Sequence, residues 1–325
     1  MTEMNGASRR TFVSVAAMLS IARAMPQAHA ATKPRRIGVL AVGSPDLLRR
    51  ALNDLGYVEG RDFVLETRNP EGNVEGFDGL ARELVALRVD VIVAPNPAAV
   101  LSAERATKSI PIVMMHTPDP VELGLVASLA KPGGNVTGVT TLSADLSIKQ
   151  LQLLKEALTG VARAGLLWNP ASPWHPGTVK ALAARSGSLG ISLQLLGVRD
   201  ADGFDGAFAA MTRERRQAVL VLADPMTYFH RERLAALAIE HRLAMMAGLA
   251  DYAEAGSLLS YWASTADVYR RTASYIDRIL KGAQAGDLPI EQPTTFEFVV
   301  NQKTAHLLGV TIPRSVLLQA TRVIE

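Results

Sequence analysis

The 325-residue chain has no cysteine, which excludes disulfides, thiol catalysis and cysteine-ligated metal centres. Past residue 30 no apolar run reaches the length of about 18 residues expected of a membrane-spanning helix, so the bulk of the chain is expected to be soluble. A surplus of one charge sign is also missing. Against 34 Lys and Arg stand 31 Asp and Glu, with no basic stripe, so no nucleic-acid or membrane partner is expected. Several catalytic motifs are absent too. No G-x-x-x-x-G-K-[ST] loop is available to cradle phosphates, and Gly38, Gly43 and Ser44 miss the dinucleotide spacing G-x-G-x-x-G. A G-x-S-x-G elbow is lacking, since Ser188 has Ser186 two residues before it. The histidines His116, His175, His230, His241 and His306 are scattered, with no H-E-x-x-H, so neither a metal nor a cofactor is expected.

What the chain does carry begins with an address. Ser8-Arg9-Arg10-Thr11-Phe12-Val13 puts two arginines directly before an apolar run, and Ala28-His29-Ala30 offers a small-residue cleavage site. A basic start, a short apolar stretch and Ala-x-Ala together form a secretory signal. The paired arginines point to the twin-arginine route, which a receptor reads. Arg23, late in the segment, suits that route better than general secretion. An apolar run of about ten residues is too short to cross about 30 Å of hydrocarbon. Cleavage after Ala30 would leave about 295 residues, enough for two domains or one large α/β unit, in the periplasm. Losing Arg9, Arg10, Arg23 and Glu3 takes the net charge from +3 to about +1.

After the signal, short β-branched runs alternate with longer helical patterns. Strands are expected at residues 36–42, 63–68, 89–94, 110–115 and 136–140, and helices up to Gly56, through Leu80, Leu84 and Leu87, and near 98–107 and 121–130. Past Lys131-Pro132-Gly133-Gly134-Asn135 the pattern restarts. Strands at 164–168, 192–198, 218–222 and 243–247 alternate with helices at 144–158, 177–189, 204–213 and 229–241. Such alternation implies right-handed βαβ units and parallel sheets covered on both faces. The fold class is thus α/β, with two doubly wound parallel-sheet lobes. A strand at 257–261, a helix at 266–280 and a strand from 295, followed by a helix at 303–308, can return to both lobes and make a multi-segment hinge.

Small and polar residues stand directly after the expected strands. Gly43-Ser44-Pro45-Asp46, Asn96-Pro97-Ala98 and Thr117-Pro118-Asp119-Pro120 do so in the first half, and Asn169-Pro170-Ala171-Ser172 and Asp224-Pro225-Met226 in the second. Ligands of open α/β sheets bind outside the carboxyl ends of strands, where helix N-termini offer free N–H groups. Proline and asparagine there are also ordinary turn chemistry. Five such turns at equivalent places in both halves favour a cleft site.

With these residues in view, the chain resembles exported substrate-binding proteins of ABC transporters with a type I periplasmic-binding-protein fold, in the branch that includes tryptophan- and phenylalanine-binding members. The resemblance runs over nearly all of residues 35–325. It is carried by Leu55-Gly56-Tyr57-Val58-Glu59-Gly60, Asp90-Val91-Ile92-Val93-Ala94, Ile110-Pro111-Ile112-Val113, Pro132-Gly133-Gly134-Asn135-Val136-Thr137-Gly138, Trp168-Asn169-Pro170, Glu291-Gln292-Pro293-Thr294 and Leu308-Gly309-Val310-Thr311-Ile312-Pro313. It implies two lobes and a hinge, with lobe one at residues 31–141 plus 262–288 and lobe two at 142–261 plus 289–325. It further implies a ligand held by Ser44, Asn96, Pro97, Ala98, Thr117 and Asp119 from lobe one. Asn169, Ser172, Asp224 and Pro225 would face them from lobe two. Amino-acid-binding relatives place a carboxylate at the position of Asp224, against the ligand's ammonium. Relatives often have Gly or Ser where this chain has Asn96, and Thr227-Tyr228, Trp174 and His175 also depart from the family.

The resulting expectation is a periplasmic, non-enzymatic solute-binding protein, monomeric, that captures a small polar, amino-acid-like ligand for ABC permease subunits. An exported ligand sensor and an α/β enzyme are the alternatives; for an enzyme only isolated carboxylates such as Asp119 and Asp224 are available. The export signal makes one prediction at once. The twin-arginine receptor reads two guanidinium groups, which lysine does not copy. Arg9→Lys/Arg10→Lys protein should therefore accumulate unprocessed in the cytoplasm; its export and cleavage after Ala30 would show the route to be different.

Overall fold

The computed structural model describes residues 33–325 apart from 42, 43, 72, 73 and 142, so the expected twin-arginine segment lies outside the described residues. The chain opens with β1 (Arg35–Leu40), α1 (Asp46–Asp54), β2 (Phe63–Arg68), α2 (Phe77–Ala86), β3 (Val91–Ala94), α3 (Pro97–Ala106), β4 (Ile112–Thr117) and β5 (Val136–Thr140). These five strands form a parallel sheet in the order β2-β1-β3-β4-β5. The run Val91–Ala94 has no polar residue and is wholly buried, as expected of a strand with helices on both faces. One face packs Ile37, Val39 and Val113 on α1; the other packs Leu40, Ile92 and Met114 on Phe77 and Leu84 of α2 and Val100 of α3.

The second half gives α4 (Ser143–Ala157), β6 (Arg163–Trp168), α5 (His175–Ser186), β7 (Ser192–Gly197), α6 (Phe204–Arg213), β8 (Ala218–Val221), α7 (Pro225–Phe229), α8 (Arg231–Glu240), β9 (Ala244–Ala247), α9 (Ala250–Glu254) and β10 (Leu259–Ala263). It ends with α10 (Thr265–Leu280), β11 (Phe296–Asn301), α11 (Gln302–Leu308), α12 (Arg314–Leu317) and β12 (Arg322–Ile324). Seven strands pair as β12-β11-β10-β9-β8-β6-β7, parallel except for the antiparallel β10–β11 pair. The protein thus has two α/β lobes with mostly parallel sheets. In both sheets the order reverses between the first and third strands of the lobe, at β1/β3 and at β6/β8.

The hinge follows from where the late segments pack. Helix α10 leaves the second sheet yet buries Val268, Tyr275, Ile276 and Ile279 against Ile37, Val91 and Val113 of the first. These residues recur at spacings of three, four and seven, one stripe of a helix, while Arg270, Arg271 and Arg278 lie off it. Residues 288–291 then run beside β5. The Thr137 hydroxyl donates to Leu288 O at 2.7 Å, and Gly138 and Thr140 exchange backbone bonds with Glu291. Gly138 (φ +128) permits close packing there, since a Cβ on it would come within 2.8 Å of Met114 N.

Three expectations need correction. Residues 121–130 are turns rather than a helix. Pro118 and Pro120 lack N–H groups, and Gly124 turns left-handed (φ +71) after one turn closed by Leu123 N–H to Asp119 O. The helix expected over 229–241 breaks at His230 into α7 and α8, because Asp224 and Pro225 start a separate helix earlier. The first strand stops at Leu40, two residues short of the expected end, and the short α9, α12 and β12 carry too little periodicity to be read from sequence.

Candidate functional site

The two reversal points face a common cavity of about 320 Å³. From the first sheet, Ala41, Ser44 and Asp46 follow β1, Pro95, Asn96 and Pro97 follow β3, and Met115, His116 and Pro118 end β4. From the second come Trp174 ahead of α5, Asp224, Pro225 and Tyr228 after β8, and Leu249 and Asp251 after β9. Trp262, Thr265 and Tyr269, at the β10–α10 junction, complete it.

Asp224 is the most constrained of these. It is the N-cap of α7 and only 5% exposed. One carboxylate oxygen accepts Met226 N–H at 2.9 Å and the Asn169 amide at 3.3 Å, and the other accepts the Ser172 hydroxyl. Thr227 completes the cap by accepting Asp224 N–H at 3.1 Å. Behind the pair, His175 Nδ1 accepts Asn169 N–H at 3.0 Å and its Nε2–H donates to Ala223 O at 3.2 Å, tying the loop after β6 to the loop after β8. Burial lowers the His175 pKa although Asp224 opposes the shift, so the ring is neutral and keeps this tautomer. Three neutral donors hold Asp224, and among the described residues no cationic side chain touches it.

On the opposite wall Asn96 caps α3. Its Oδ1 accepts Ala99 N–H at 3.0 Å, but its Nδ2 is buried without a partner. With Pro97 lacking an N–H, and Ala99 and Val100 bonded to Asn96, little of the helix end remains free. His116 accepts the Trp262 indole N–H on Nδ1 at 3.1 Å, and burial lowers its pKa to about 4. Asp251 accepts the Tyr228 hydroxyl at 2.8 Å, and Asp46 pairs with Arg49. Among the described residues the lining therefore holds three carboxylates, Trp and Tyr rings, and no Lys or Arg. That composition suits a ligand with a cationic end and an apolar or aromatic body.

Of the residues expected at the site, Ser44, Asn96, Pro97, Asp224 and Pro225 line the cavity. Asn169 and Ser172 stand behind Asp224 as its hydrogen-bond donors. The structure does not bring Ala98, Thr117 or Asp119 to the cavity. Ala98, in the first turn of α3, is buried in the core with Leu40 and Ala94. The Thr117 hydroxyl turns back to Met115 O at 3.2 Å, and Asp119 is exposed on a left-handed turn (φ 39). Sequence reasoning missed His116, Tyr228, Asp251, Trp262 and Tyr269. Asp251 does follow an expected strand, so the rule that found Asp224 would have found it as well.

A model of the family described as ABC transporter substrate binding protein matches residues 46–324. The chain belongs to that family. Its members bind small molecules, work with ABC transporter permeases and are not enzymes. This substrate-binding protein is 25% identical over 260 residues, 80% of its own chain and 74% of the other, to a tyrosine-binding protein of Clostridioides difficile (strain R20291). It superimposes with a TM-score of 0.82 on a conserved domain protein of Vibrio cholerae, 28% identical, covering 90% of this chain and all of that one. A Streptococcus pneumonia ABC domain in complex with L-Trp gives a TM-score of 0.81 at 27% identity, with 90% of this chain and 100% of the other covered. Among the described residues no helix is long and apolar enough to cross a membrane, and no group of three or more His, Asp or Glu side chains is placed to hold a metal.

The neutral, half-buried His116 makes folding stability of this substrate-binding protein depend on pH. An unfolded histidine titrates near 6.5, so from about pH 6.5 down to about 4 the unfolded chain takes up a proton that the folded chain refuses. Stability therefore falls as pH is lowered through that window, by about 3 kcal/mol for this one ring. His116→Asn, which keeps an acceptor for Trp262 and tolerates a left-handed backbone, should flatten the slope in urea melts at pH 7, 6, 5 and 4. An unchanged slope would show that His116 takes up its proton in the folded protein as readily as in the unfolded chain.

Proposed function

We propose that this protein is the periplasmic binding component of an ABC import system, exported by the twin-arginine route, and that it captures a small amino-acid-like ligand with an aromatic or apolar body. One observation carries the reading: the cavity between the sheets sets uncompensated carboxylates on one wall against the unpartnered Asn96 amide on the other. The ligand's ammonium sits at Asp224, its acceptor-rich end lies toward Asn96 and α3, and its body packs among Trp174, Tyr228, Trp262 and Tyr269. Likeness to a tyrosine-binding protein and to a structure holding L-Trp supports that class. The protein acts as a monomer. Its lobes, residues 31–141 with 262–288 and 142–261 with 289–325, close over the ligand about the hinge, since contacts to both walls favour the closed state. The closed form then delivers the ligand to the permease.

Asp224→Asn tests the ammonium contact. Asparagine caps helices as well as aspartate and keeps the acceptor for Met226 N–H, so the melting temperature should hardly move. Removing the charge opposite a desolvated ammonium costs roughly 2–5 kcal/mol, so affinity for L-tryptophan or L-tyrosine by calorimetry should fall at least about thirtyfold. A variant that binds either amino acid as tightly as the parent would remove Asp224 from the ligand's ammonium.

A further inference from the structure

His116 sits near the end of β4 with a left-handed backbone (φ 47), a conformation that is strained for any residue with a Cβ. Its ring links a strand of the first sheet to one of the second: Nδ1 accepts the indole N–H of Trp262, 146 positions away on β10, with the ring centroids 6.3 Å apart. A ring nitrogen that accepts an N–H carries no proton of its own, so the neutral ring holds its proton on Nε2. His116 lines the cavity, and among the described residues its Nε2–H meets no protein acceptor. Asn96 Nδ2, on the same wall, is likewise a donor without an acceptor. The opposite wall supplies acceptors in Asp224 and Asp251.

We infer that His116 is a specificity-determining residue: its Nε2–H, aimed by Trp262, donates to an acceptor group of the ligand and selects amino acids over the corresponding amines. This rests on the amino-acid-like reading of the ligand given above. The selection arises from what happens when the acceptor is missing. An amine satisfies Asp224 but leaves the His116 and Asn96 donors desolvated and unpaired. A site built to pair polar groups rejects an analogue that lacks one more strongly than it gains from any single contact. An uncharged donor suits this place, because an arginine here would compete with the ligand's ammonium for Asp224. The strained backbone then has a function, placing the imidazole between indole and ligand.

The test is calorimetry at neutral pH with L-tryptophan, L-tyrosine and L-phenylalanine against tryptamine, tyramine and phenethylamine, on parent protein, His116→Ala, His116→Asn and Trp262→Phe. The parent should bind at least one acid about tenfold or more tightly than its amine, a difference of one well-made hydrogen bond to a charged group. His116→Ala should pull that ratio below about threefold while amine affinity stays within about twofold. His116→Asn should recover part of the ratio, since its amide both accepts from Trp262 and donates to the cavity. Trp262→Phe should lose part of it through the freed tautomer. Thermal melts on each variant report folding separately. Equal weakening of acid and amine in His116→Ala, or no change in either, overturns the role of His116 while leaving the ligand class intact. Failure of the parent to bind any of the six overturns the ligand class, and the inference with it.

Discussion

The Asp224 carboxylate is withdrawn from water with no cationic side chain beside it among the described residues, and the second lobe's wall is arranged around that fact. Isolated buried charge costs several kcal/mol, which donors must offset. Met226 N–H, the Asn169 amide and the Ser172 hydroxyl do so, the first from α7 after β8 and the other two from the loop after β6. Asn169 is positioned in turn by neutral His175, which also grips Ala223 O. The charge, the cap of α7 and the junction of two loops are therefore one unit. Hydrogen bonds stabilise the Asp224 carboxylate, and among the described residues no positive side chain touches it.

The first lobe answers with the opposite polarity and with fewer fixed contacts. Asn96 spends its oxygen on capping α3 and has its nitrogen left over. Pro97 removes an N–H that a phosphate or a dicarboxylate would use, and among the described residues no Lys or Arg lines the cavity. Strongly anionic ligands are disfavoured by that balance alone. The aromatic residues join the two walls: Trp174 and Tyr228 stand with the second sheet, while Trp262 and Tyr269 stand where β10 passes into α10. Because the chain returns there to the first lobe, ligand contact at Trp262 or Tyr269 bears directly on the hinge.

Much of this architecture was legible in the sequence because its strands are buried on both faces. Runs such as Val91–Ala94 and Ala218–Val221 have no polar residue and cannot be surface strands. Turn residues at strand ends pointed to Asn96 and Asp224 by the same logic. The rule over-reached at Thr117, whose hydroxyl turns back to Met115 O, and at Asp119, which is exposed on a left-handed turn beside cavity-lining Pro118. It under-reached at His116, which is one more scattered histidine in the sequence until β10 brings Trp262 beside it. A contact across 146 residues leaves no local periodicity to read.

The central claim is that the cavity selects a small molecule with a cationic nitrogen and an acceptor-rich end. Mass spectrometry of small molecules released from protein purified out of its host tests it most directly. The account predicts one dominant compound carrying a primary ammonium, a carboxylate or similar acceptor, and an apolar or aromatic body. A sugar, a phosphate ester or a nitrogen-free aromatic acid as the dominant species would contradict it.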